Sequence, residues 1–218
     1  MLTDQRNQKN LFSHYFCDMK SLFQLESIPL DLPDAEIIYF PAFIDKTKAD
    51  EIYAELLEKT PWQQDEITVY GKKHAQPRLT ALYGNQDKPY SYSNIKMQPH
   101  HWTVLLLDIK SHVENLSNSN FTTVLLNQYR NGNDGNGWHA DNEKELGANP
   151  VIASVSFGAE RPFQLKHNTD KNLKKNIILE HGSLLIMKGT TQHFWKHQIP
   201  KITKPIGQRI NLTFRTIL

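Results

Sequence analysis

The sequence predicts an α+β chain: helices first, then an antiparallel β core of the jelly-roll type. Two observations carry this. The first half contains two segments of helical period, and from about residue 121 the period shortens to that of strands, with Gly, Asn and Lys turns between them. Such an order, helices and then at least seven short strands, fits helices packed on a flat surface and a barrel whose mouth can hold a ligand.

Residues 1–35 show no sustained period and are expected to form an arm or peripheral helix, with one domain over 36–218. In TKADEIYAELLEKTPW, Ala49, Ile52, Tyr53, Leu56 and Leu57 share a helical face, and Pro61 closes the helix. HWTVLLLDIKSHVENL repeats the pattern with Trp102, Leu105, Leu106, Ile109, Val113 and Leu116. The strand segments are FTTVLLNQYR, VIASVSFG, PFQLKH, NIILEH, SLLIMKG, HFWKHQI and RINLTFRTI, all rich in β-branched and aromatic residues.

A length of 218 residues is enough to bury a full core without staples. Cys17 is the only cysteine, which excludes an internal disulfide and a Cys-rich zinc site and suits a reducing compartment. The opening MLTDQRNQKNLFSHYF lacks a secretory pattern, and no stretch approaches ~18 apolar residues. The expected setting is therefore cytoplasmic (nuclear in a eukaryote), away from membranes. The net charge of +2 says little about partners, but YGKKHAQPR (70–78) and KHNTDKNLKKN (166–176) are basic runs that read as loops.

The last strand is the informative one. In RINLTFR, Ile210, Leu212 and Phe214 point one way and Arg209, Asn211, Thr213 and Arg215 the other. A closed barrel turns that polar face inward, where two arginines need anions. They lie about 20 Å apart along the strand, and side chains leaning toward each other leave a gap for a short dicarboxylate. Asn127 and Tyr129 in LLNQYR offer an amide and a phenol to the same ligand.

GWHADNEKELG (137–147) places His139 and Asp141 two apart. Composition alone yields roughly half of one such pair per chain, so a third ligand is needed. Two His and one carboxylate on one face of an iron leave positions open for cosubstrate and oxygen. His167 and His181 read as surface residues. His193 and His197, four apart on what reads as one strand face, are not separated by position; His197 is favoured by standing twelve residues before Arg209.

These residues resemble the AlkB-type Fe(II)/2-oxoglutarate dioxygenases, which repair alkylated nucleic acids. The resemblance covers about residues 66–218 and includes QPRLTALYG, YSYSNI, LLNQYRNGNDGNGWHADNE, IASVSFGAERPF, HGSLLIMKGTTQHFWKHQIP and RINLTFR. It implies a double-stranded β-helix, with His139, Asp141 and His197 as iron ligands. Arg209 and Arg215 would hold the carboxylates of 2-oxoglutarate, assisted by Asn127, Tyr129 and Asn211. Iron(II), 2-oxoglutarate and O2 would together demethylate N-alkylated bases such as 1-methyladenine and 3-methylcytosine, releasing formaldehyde, succinate and CO2.

By the same match, residues 66–102 form a nucleotide-recognition lid in which Tyr92 stacks on the flipped base, with Tyr90 and Ser93 nearby. Glu143 would lie at the edge of the base, where a carboxylate favours cationic methylated bases. Tyr70, between Val69 and Gly71, would enter the stack, while Lys72, Lys73 and Arg78 face phosphates and the 166–176 run meets the opposite strand. Tyr stands at the wedge and stacking positions where duplex-acting members carry Phe. DNA or RNA, single-stranded or paired, thus remain open as substrates of a protein expected to be monomeric. The alternative is a dioxygenase of the same fold acting on protein or small molecules. A non-catalytic binding module is opposed by the intact triad and both arginines.

Overall fold

The computed structural model describes residues 26–69, 72–85, 90–92 and 95–218, with side chains outside 67–72 and 86–97. In chain order these form β1 (Ile28–Leu30), β2 (Glu36–Phe40), helix α1 (Lys46–Lys59), β3 (Glu66–Val69), β4 (Lys72–Ala75), β5 (Leu79–Gly84), β6 (Tyr90–Tyr92) and β7 (Ile95–Met97). Helix α2 (Val104–Ser117), β8 (Thr123–Tyr129), β9 (Asn136–His139), a turn of 3-10 helix (Lys144–Leu146), β10 (Ile152–Gly158) and β11 (Arg161–His167) follow. The chain ends with β12 (Lys174–Leu179), β13 (Ser183–Lys188), a one-turn helix α3 (Thr191–Phe194), β14 (Trp195–Ile199) and β15 (Arg209–Arg215).

Both long helices start where the sequence supplies a cap. The Asp45 carboxylate accepts from the Lys48 amide, and the Thr103 hydroxyl oxygen from that of Leu106, so one exposed N–H of each first turn is satisfied. Helix α2 ends at Asn118, whose left-handed backbone (φ 52°) suits a side chain tolerant of that conformation. Trp102 therefore precedes the helix instead of lying on it.

A seven-stranded sheet in the order β1-β2-β13-β10-β15-β8-β5 faces a four-stranded sheet in the order β12-β11-β14-β9. All strand pairings in both sheets are antiparallel. Two cores result. Ile52 and Leu56 of α1 and Leu106, Ile109 and Val113 of α2 cover one face of the larger sheet through Val124, Leu126, Val155, Leu212 and Phe214. Leu125, Ile152, Leu165, Leu179, Met187 and Trp195 fill the space between the sheets. Strand alternation assigns β8 and β15 to both cores at once, and every residue of both strands is buried. The polar face of β15 thus points between the sheets, as the jelly-roll reading requires.

Four expectations change. Residues 28–30, placed in the arm, pair with β2 as the edge of the larger sheet. Residues 79–84, inside the expected lid, are the opposite edge of the same sheet, paired with β8; the separate hairpins β3–β4 and β6–β7 flank them. The 166–176 run is a loop only over 168–173: Lys166 and His167 end β11, Lys174 starts β12, and His167 is buried. Finally, HFWKHQI is not one strand, because His193 and Phe194 belong to α3 and β14 begins at Trp195. Among the described residues, no helix is long and apolar enough to cross a membrane.

Candidate metal and cosubstrate site

The site forms because β9 and β14 are neighbours. Their register sets His139 opposite His197, with ring centroids 4.3 Å apart. Asp141, two residues beyond His139, returns to the same side. The candidate ligand atoms of these three residues lie within 4.8 Å of one another. The break between α3 and β14 decides between the histidines: His193, exposed on the one-turn helix, bonds Asn149 Oδ1 at 2.9 Å, whereas His197 faces inward.

The protonation states suit a metal. His139 Nδ1 lies 2.8 Å from the Gly137 carbonyl, which can only accept, so Nδ1 carries the proton and Nε2 keeps its lone pair. The Asn136 amide nitrogen, 3.2 Å from Nε2, donates to that lone pair. Burial holds both imidazoles neutral, pulling His139 below its usual pKa and His197 down to about 3. Burial opposes the charge of Asp141, but Arg215, His197 and His139 outweigh it and hold the carboxyl at about 2. Two neutral imidazoles and an ionised carboxylate form the donor set that leaves one side of a non-haem iron open.

Further partners fix the ligands. Asp141 Oδ1 accepts from Arg215 Nη2 at 2.7 Å, and the Asp141 amide donates to Gln192 Oε1 at 2.9 Å. Phe163 stacks on His197 with centroids 5.1 Å apart and planes at 25°. Asn136, Gln192 and Phe163 escape a reading of the sequence, since only the folded barrel brings them to the ligands. The sole hint is Asn136, three residues ahead of His139.

Away from the metal end the cavity is cationic. Arg209 is 1 % exposed. Its Nη2 donates to Ser156 Oγ at 2.9 Å, while Nε and Nη1 are buried without a hydrogen-bond partner among the described residues. Burial draws its pKa down to about 10, so it remains a cation at neutral pH. Its guanidinium lies 5.1 Å from the Tyr129 ring centre, and that of Arg161 lies 5.7 Å from the same centre. A buried guanidinium with two idle donor atoms fits a carboxylate. Asn127 and Asn211 line the same cavity, but much of their capacity is used internally. Asn127 Oδ1 accepts from Arg78 Nε at 2.8 Å; Asn211 Nδ2 donates to Ser154 Oγ at 2.7 Å, and its Oδ1 accepts from Thr213.

Arg78 corrects an expectation. It is 4 % exposed and reaches both Asn127 and, through Nη1, Asn136 Oδ1 at 3.2 Å. Such a side chain supports the floor of the site and does not face phosphates. Glu143 is half-buried at the start of the 3-10 turn, with Oε2 enclosed and lacking a hydrogen-bond partner among the described residues; burial and then the Asp141 charge raise its pKa. Val69 lies in β3 and Tyr90 and Tyr92 in β6, described by their backbone alone. Tyr70, Gly71 and Ser93 lie outside the described residues.

Comparison with known proteins agrees with this chemistry. The family described as the 2OG-Fe(II) oxygenase superfamily matches residues 36–215. The chain is 38 % identical over 214 residues to alpha-ketoglutarate-dependent dioxygenase alkB homolog 3 of Bos taurus, covering 92 % of this chain and 72 % of that protein. It is 36 % identical over 189 residues to DNA oxidative demethylase ALKBH2 of Homo sapiens, covering 82 % and 72 %. The solved structure titled "The structure of OsALKBH1" superposes with a TM-score of 0.61 at 15 % identity, covering 88 % of this chain and all 100 % of that one, a likeness of fold. With an iron-type triad at one end of the barrel and a buried arginine at the other, the chain belongs to the 2OG-Fe(II) oxygenase superfamily. Within it the chain is an AlkB-type dioxygenase dependent on iron(II), 2-oxoglutarate and O2.

Proposed function

We propose that this enzyme removes methyl groups from N-alkylated bases, 1-methyladenine and 3-methylcytosine, in DNA or RNA, working as a monomer. The observation that carries the reading is the two-His, one-carboxylate cluster beside the enclosed carboxylate of Glu143, in a chain similar over most of its length to named DNA demethylases. Iron bound with 2-oxoglutarate and O2 supplies the oxidising power that hydroxylates an N-methyl group, so that formaldehyde, succinate and CO2 leave.

The chain's own residues hold and orient the participants. His139, Asp141 and His197 bind the metal. Arg215, already against Asp141, suits the carboxylate of 2-oxoglutarate nearer the metal, and Arg209 with Tyr129 suits the far one, six residues along β15. Glu143 faces a base that is cationic only when methylated, so its charge discriminates lesion from normal base. The hairpins β3–β4 and β6–β7, on either side of the sheet edge β5, serve as the lid, with Tyr90, Tyr92 and Ser93 against the flipped base and Val69, Tyr70 and Gly71 at the wedge.

An oligonucleotide bearing one 1-methyladenine, single-stranded and paired in parallel, tests this with iron(II), ascorbate and 2-oxoglutarate. Mass spectrometry should record loss of the methyl group, abolished when 2-oxoglutarate is omitted. Succinate without demethylation of either form would move the substrate to a protein or small molecule.

A further inference from the structure

The four-stranded sheet has a second face. Inward, Phe163, Leu165, His197 and Ile199 are buried against the site. Outward, the register sets Lys166 of β11 opposite both Lys174 of β12 and Lys196 of β14. Three lysines thus stand in one row across three adjacent strands, spanning roughly 10 Å. Like charges directly opposite one another destabilise a sheet. Among the described residues no carboxylate lies within ion-pair distance of any of the three. The next tier is neutral, with Gln198 Nε2 donating to Gln164 Oε1 at 2.6 Å.

Trp138 lies on β9, the edge strand, level with the neutral tier and one residue from the His139–His197 pair. Trp138 is 38 % exposed, on the face of β9 opposite to the metal ligand His139, and Lys166 Nζ lies 4.3 Å from its ring centre. A chain leaving the metal site over the β9 edge meets first an aromatic platform and then the row of cations. That combination binds a nucleic-acid strand, with stacking for a base and ammonium groups for phosphates.

We propose that the outer face of the four-stranded sheet is a track for the nucleic-acid strand flanking the target base. Trp138 stacks one base, and Lys196, Lys166 and Lys174 take successive phosphates. The assignment rests on the nucleic-acid reading above and extends the substrate contact from the mouth of the barrel to its back. The three lysines cost the apo protein repulsion that a polyanion relieves.

The test compares the parent with the triple variant Lys166→Gln, Lys174→Gln, Lys196→Gln on a trinucleotide centred on 1-methyladenine and on a longer single strand. Turnover of the trinucleotide, too short to leave the mouth, should be unchanged, whereas KM for the longer strand should rise at least about tenfold. In a salt titration of binding, the slope of log K against log salt should shrink by about 2 for three lost phosphate contacts. Trp138→Ala should weaken longer-strand binding by about tenfold. Removing the mutual repulsion should leave the melting temperature equal or higher, which excludes misfolding as the cause. An unchanged salt slope with intact trinucleotide turnover would overturn the track, as would a triple variant that loses an acidic peptide but keeps the longer strand. Because the slope is a binding measurement, it reads the surface even if neither substrate is demethylated, an outcome that would instead defeat the proposed function.

Discussion

At the scale of single residues, the ligands depend on neighbours that never touch the metal. Gln192 is 1 % exposed and bonds the Asp141 amide through Oε1, while its Nε2 lies 3.6 Å from Met187 Sδ. It therefore ties the loop after β9 to the turn that leads into β14, setting Asp141 against His197. Loss of such a supporting contact costs about ten- to a hundredfold in metal affinity. Gln192→Ala should show that loss when manganese(II), a stand-in for iron, is titrated and followed by electron paramagnetic resonance. Parent-like affinity would mean that Gln192 only fills space.

At the scale of elements, the strands that carry the histidines are stapled through their loops. Arg161, wholly buried, donates to the carbonyls of Asn131, Asp134 and Pro200, at 3.3, 2.9 and 2.7 Å, joining the loop before β9 to the residue after β14. Arg130 grips Asp134 with Nε at 2.8 Å and Nη2 at 2.9 Å, and its backbone amide adds a third bond. Burial would raise the Asp134 pKa, but the Arg130 hydrogen bonds and charge prevail and lower it. A folded pKa below the unfolded one gives stability that is complete above about pH 4 and fades as pH falls through the folded value. Asp134→Asn should lower the melting temperature at neutral pH by about 5 °C, and the gap from the parent should close in acid. A gap that persists at low pH would assign the loss to packing.

At the scale of the whole molecule, one cavity joins both sheets. Its lining comes from β8, β9, β10 and β15 as well as β11 and β14, so a ligand there couples elements far apart in the chain. Manganese(II) with 2-oxoglutarate, each at a hundred times its dissociation constant, should stabilise the fold by at least about 2.7 kcal/mol. For a chain of this size that is a rise in melting temperature of about 5–10 °C, measurable by calorimetry without turnover. Succinate without an oxo group near the metal should give a smaller rise. No shift with either would place cosubstrate binding outside this cavity.

Much of this was legible in the linear chain because it depends on local period. Alternation in β15 separates Ile210, Leu212 and Phe214 from Arg209, Asn211, Thr213 and Arg215 whatever surrounds the strand. The His139–Asp141 spacing likewise needs only that β9 be extended. Neighbours remote in sequence were not legible. His193 and His197 are equivalent on paper, and the one-turn helix ending at Phe194 separates them. Arg78 reads as a surface cation until β5 pairs with β8 and buries it against Asn127. The lysine run reads as a loop until β11 pairs with both β12 and β14 and lines up Lys166 with Lys174 and Lys196. By itself the sequence determined the residue types, the strand faces and the ligand motif, because side-chain direction follows backbone period. Only tertiary structure decided which groups meet, because the packing of the strands brings residues 74 positions apart, Asp141 and Arg215, within a hydrogen bond of each other.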